Sequence, residues 1–112
     1  MRNPRRKISE SQIKSQLTFL VRNAVVPLST LEEIKDASSR VFGKKDKCTL
    51  KITMRYMSCF LEETSPDSWD WKEIKEFSDD YINTFGKNKA ILALETKYMR
   101  GLQNYKNGKH RD

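Results

Sequence analysis

The chain has 112 residues, 37% hydrophobic and 33% charged, with a net charge of +7 and a pI near 9.5. That length suits one domain with one modest core, and its eleven aromatic residues exclude wholesale disorder. No apolar run approaches the ~20 residues of a membrane span, and the basic stretch Met1–Lys7 is not followed by the apolar segment of a secretory signal, so no membrane partner and an intracellular location are expected.

Glycine after an apolar-periodic stretch reads as a helix stop, and Ser, Thr, Asp or Asn before the next as a start. Connectors at 26–29, 43–46, 64–67 and 86–88 divide the chain into five segments of helical length. The first, 9–25, opens on Ser9 and Gln12 at capping-box spacing and places Ile13, Leu17, Leu20, Val21 and Ala24 on one face. Pro27 stops it. The second, 30–42, has Thr30 and Glu33 at the same spacing, with Leu31, Ile34, Val41 and Phe42 pointing inward.

The third segment fits two templates. From Lys47 to Tyr56 polar and apolar residues alternate without exception, which is a strand signal. Leu50, Met54, Met57 and Leu61 also follow one another at helical spacing. The apolar pattern runs on through Phe60 and Leu61, long for a strand, and no second strand exists in the chain to pair with it. Helix is therefore the expected state. The rival fold is α+β, with a β-strand at 47–56 pairing in a homodimer.

The fourth segment, 68–85, sets Trp71, Ile74, Phe77, Tyr81, Ile82 and Phe85 within one arc. Trp71 is expected in the core and Trp69 outside the arc, against a loop or on a partner. The fifth, 89–106, carries Ile91, Leu94, Tyr98, Leu102 and Tyr105 as a stripe, and Gly101 weakens it by about 1 kcal/mol relative to alanine. The expected architecture is all-α: a basic arm at 1–8, a single bundle of four to five helices over 9–106, and a basic tail at 107–112.

Charge is uneven along this layout. Residues 1–28 sum to +5, 29–43 to −1, 44–64 to +2, 65–86 to −4 and 87–112 to +5. Lys47, Lys51 and Arg55 recur every four residues and form a ridge on a helix, with Thr49 and Thr53 beside it as candidate phosphate donors. Lys89, Lys97 and Arg100 fall opposite the Ile91–Leu94–Tyr98 stripe. Together with Arg5, Arg6, Lys7, Lys44 and Lys45 they make the candidate nucleic-acid-binding set, because each phosphate neutralised by a cation releases counterions.

Motifs for chemistry are missing from the sequence. No phosphate-binding glycine loop, dinucleotide fingerprint or H-E-x-x-H pattern occurs. Cys48, Cys59 and His110 fall short of a zinc site, and the two cysteines, eleven residues apart on a helix, are too distant for a disulfide. A helix-turn-helix across Gly43 fails on spacing, since nine residues separate Ile34 from Gly43. The expectation is a regulatory nucleic-acid-binding protein without catalytic, metal or cofactor site, on DNA or RNA. The competing expectation is a helical protein-interaction module, such as a small viral or phage regulator docking on a host protein.

Overall fold

The computed structural model describes residues 9–109. In it α1 (Glu10–Asn23), α2 (Leu28–Phe42), α3 (Lys47–Glu63), α4 (Trp71–Phe85) and α5 (Lys89–Lys109) follow one another, with a 3-10 turn at Pro66–Ser68. No strand occurs among the described residues. The arm at 1–8 and His110 lie outside them. Helix α5 extends past the expected end at 106.

The helix ends follow local chemistry. Ser9 and Gln12 form a reciprocal capping box at 3.1 and 3.2 Å. Asp46 accepts the Cys48 N–H at 2.9 Å to start α3, and Asp70 accepts from Lys72 and Glu73 N–H to start α4. The Asn88 side-chain oxygen accepts the Ile91 N–H at 3.2 Å while its amide donates to the Tyr81 hydroxyl. Gly43 and Gly86 end α2 and α4 with φ of 102° and 78°, backbone that side chains disfavour. Thr30 and Glu33 do not cap α2. The extended Pro27 precedes it, without a side-chain cap, and Thr30 sits inside the first turn. Proline fits there because the N–H it lacks is among those a helix start leaves unpaired.

Helix α3 is the hub. It touches α1, α2, α4 and α5, and buries Cys48, Thr49, Leu50, Ile52, Tyr56, Met57 and Leu61. At 100° per residue these side chains cover roughly two-thirds of the helix circumference, and Lys47, Lys51 and Arg55 fill an open sector of roughly 80°. That geometry explains why the sequence mimics a strand. In a helix enclosed on several sides, Cys48 meets α1 and Tyr56 meets α2, while Leu50 and Met57 are buried on a further side. Thr49, outward in the strand reading, is 1% exposed. The strand alternative is thereby corrected to helix.

The two tryptophans exchange their expected places. Because Asp70 starts α4, Trp69 lies before the helix and folds beneath it, 6% exposed, with its Nε1–H donating to Thr64 Oγ1 at 3.0 Å. Its ring stacks on Tyr98 at 5.5 Å and lies against Gly101 of α5. Trp71 is half-exposed, with its edge against the same tyrosine at 4.5 Å. Val41 is corrected likewise, being exposed at the end of α2, and Ile13 and Leu20 are only partly covered. No described helix is long and apolar enough to cross a membrane.

Candidate nucleic-acid interface

The open sector of α3 forms one wall of a groove whose other wall is α1. The α1 side carries Ser11, Lys14, Ser15, Thr18, Phe19 and Arg22, a stripe at helical spacing. The α3 side carries Lys47, Cys48 and Lys51, and the α2–α3 turn adds Lys45 and Asp46. The groove encloses about 870 Å³. A second cleft of about 420 Å³ continues it toward α5, lined by Arg22, Lys51, Arg55, Met54, Ser58, Tyr81, Ala90 and Ala93. Arg22 and Lys51 belong to both, so the cationic surface is continuous, and among the described residues no acidic side chain lines the second cleft.

Lys14 is committed inside the protein. Its ammonium lies 2.7 Å from Asp46, 2.9 Å from Glu10 and 4.9 Å from the Phe42 ring centroid. The bond to Asp46 raises the Lys14 pKa above its ordinary value and lowers that of Asp46. Lys14 thus offsets one of the two acidic charges that line the groove, Glu10 and Asp46, and locks α1 onto the start of α3. Arg22, Lys47 and Arg55 make no ion pair among the described residues, and Lys51 meets only the Phe85 ring, at 5.8 Å. These four are free to engage a polyanion.

The other sequence candidates separate into groups. Lys44 and Lys45 are exposed and reach back to α4, 3.6 Å from Glu76 and 3.9 Å from Asp80. The Lys44–Glu76 pair is exposed at both ends and the Lys45–Asp80 pair is long, so each is worth little and yields to a stronger anion. Lys89 and Arg100 are exposed on α5 but line neither cleft. Lys97 does not stand opposite the α5 stripe. It packs on the α3–α5 seam, donating to Ser58 Oγ at 2.7 Å and pairing with Glu62 at 3.1 Å. Thr49 and Thr53 are also withdrawn: their hydroxyls donate to the Ser38 and Thr49 carbonyls. Arg5, Arg6 and Lys7 lie outside the described residues.

Arg22 and Phe19 are additions that the sequence signalled only weakly. The polar series Ser11, Ser15, Thr18, Arg22 at helical spacing marks their face, but nothing local says that it borders α3. Phe19 is 69% exposed.

The opposite side of α3 has the other sign. Between α2, α3 and α4 a cleft of about 510 Å³ is bordered by Asp36, Asp70, Glu73, Glu76 and Asp80 against Lys35, Lys44 and Lys72. The net charge of the chain is thus split across α3, and the groove carries the positive part. Cys48 is buried and Cys59 partly so; both are free thiols, and burial pushes the Cys48 thiol up. No group of three or more potential metal ligands gathers among the described residues. Neither a family model, a curated protein nor a solved structure matches this chain, and the interface is read from its own residues.

Proposed function

We propose that the chain is a nucleic-acid-binding protein without catalytic activity, and that it holds the phosphate backbone along the α1–α3 groove. The observation that carries this is the unbroken set Arg22, Lys47, Lys51 and Arg55, which borders two adjoining clefts without an ion pair among the described residues. Cations fixed on packed helices lose little freedom on binding, so each phosphate contact keeps most of its counterion-release gain. Lys44, Lys45, Lys89 and Arg100 extend the field around the groove and steer approach. A regulatory role on DNA or RNA in an intracellular compartment follows from this reading.

The test is fluorescence anisotropy of a labelled oligonucleotide across a salt series. Replacing Lys47, Lys51 and Arg55 together by glutamine should weaken binding and flatten the log K against log salt slope by about 0.7–0.9 for each phosphate no longer neutralised. Circular dichroism checks that the variant folds. Wild-type binding by the triple variant would refute the groove. A second reading, a protein-interaction module, draws on the groove between α4 and α5. It encloses about 690 Å³, is lined by Ile74, Ile82, Leu94 and Tyr98, and is rimmed by the exposed Trp71 and Met99. Failure of the intact protein to bind any nucleic acid at low salt would put that reading first.

A further inference from the structure

We infer that the groove takes a single strand rather than a duplex, with a base stacked on Phe19. This rests on the nucleic-acid reading above and adds the form of the ligand.

The first observation is the phenyl ring. Phe19 stands 69% exposed on the groove wall, one turn from Arg22, and has no ring contact among the described residues. Other exposed apolar side chains of the same helix, Ile13 and Leu20, lie outside the groove. An aromatic face beside a cationic track is the pairing that single-strand recognition uses, because an unpaired base offers its π-face while its phosphate meets a lysine. A duplex keeps its base faces stacked inside and has nothing to lay on this ring.

The second observation is where the cations sit. Reading a duplex by helix requires a helix that enters the major groove, ~12 Å wide. Helix α3, which carries Lys47, Lys51 and Arg55, is packed by four other helices. Its open sector faces α1 across the groove, as one of its two walls. A flexible single strand follows a groove between two helices, whereas a stiff duplex does not bend into it and meets the cations from outside. Two polar side chains of the wall are spent within α1. The Thr18 hydroxyl donates to the Lys14 carbonyl and the Asn23 amide to the Phe19 carbonyl. Charge and a π-surface dominate this wall, which favours binding that tolerates sequence.

The experiment compares a short mixed-sequence DNA oligonucleotide, single-stranded and annealed to its complement, against the full-length protein at low salt. Wild type should prefer the single strand. Phe19→Ala should weaken single-strand binding about tenfold, the equivalent of one missing stack, and leave duplex binding unchanged. Phe19→Trp should restore it, and Lys51→Gln should weaken both ligands. Equal affinity for the two forms, with Phe19→Ala silent, would overturn the inference while leaving the nucleic-acid reading in place. Binding of neither form removes both. Because the ring is exposed, Phe19→Ala keeps the fold, and circular dichroism verifies it.

Discussion

Substituting Gly101 by alanine should destabilise the protein, against the usual effect of that exchange in a helix. In a helix interior, alanine is favoured over glycine by about 1 kcal/mol. Here the added Cβ would stand 2.5 Å from Cη2 of Trp69, and 3.3 and 3.4 Å from Cζ3 and Cζ2. Carbon atoms pack at ~3.5–4.0 Å, so the indole must retreat by about 1 Å. It has little room, being 6% exposed, stacked on Tyr98 and hydrogen-bonded to Thr64. Overpacking of this kind costs about 1–3 kcal/mol, and a stretched indole bond adds about 1 kcal/mol. After the helix gain is offset, a net loss of about 1–3 kcal/mol remains. Urea titration followed by circular dichroism measures it. The decisive control is the same substitution in a Trp69→Leu background, where the obstacle is gone and Gly101→Ala should stabilise by about 1 kcal/mol. An increase in stability in the wild-type background would refute the packing of Trp69 on α5.

Gly86→Ala should also destabilise, by about 1–3 kcal/mol, but for a backbone reason: φ of 78° and ψ of 177° is a glycine region, and no atom lies within 4 Å of the added Cβ. Asp46→Ala should cost about 0.5–2 kcal/mol through the missing cap, and Asp46→Asn less, since the amide oxygen still accepts from Cys48. Lys14 holds the Asp46 carboxyl below its ordinary 3.8, so the ion pair stabilises fully above that pH and is lost as pH falls through the lower folded value. Asp46 holds Lys14 above 10.5, so at the alkaline end the pair is complete below 10.5 and is lost as pH rises beyond the raised value. The stability gap between wild type and Asp46→Asn should therefore be level near neutral pH and close toward acid; urea midpoints that keep the gap in acid count against the pair. Lys47→Glu should raise stability by about 0.5–1 kcal/mol while weakening oligonucleotide binding, read by thermal melts and anisotropy on the same preparations.

Much of the fold was legible because its determinants are local. Ser9 with Gln12, Gly43, Gly86 and the arc Ile74, Phe77 and Tyr81 of α4 each act within a few residues, and each appears where its spacing put it. Helix α3 was ambiguous for a physical reason: burial on most of its circumference erases the one-sided polarity by which a helix is recognised. Trp69 and Trp71 depart from expectation because Ser68 and Asp70 both qualify as helix starts, and the space that receives Trp69 lies against Gly101, thirty-two residues further on. Within the candidate site, the Lys47–Lys51–Arg55 ridge was visible as a period of four. That Lys97 is taken up by Glu62 and Ser58, that Lys14 neutralises Asp46, and that Phe19 and Arg22 border the ridge are contacts between helices. No local pattern carries them.

The cationic ridge stands where local rules disfavour it. Lys47 occupies the first position of α3, at the positive end of the helix dipole, and the first turn holds no acid to offset it. Lys47–Lys51 and Lys51–Arg55 are like-charge pairs four residues apart, each unfavourable by about 0.2–0.5 kcal/mol. A charge placed against the fold, without an ion pair among the described residues, is what a surface kept for an external anion looks like. The same helix is the one that four others hold in place, so this repulsion rests on the most constrained part of the chain and does not open it. The two roles of α3 respond to salt in opposite directions. Screening relieves the repulsion and should raise the stability of the free protein, while it removes the counterion-release gain and weakens binding. If both rose or both fell together with salt, the ridge would not be the seat of binding.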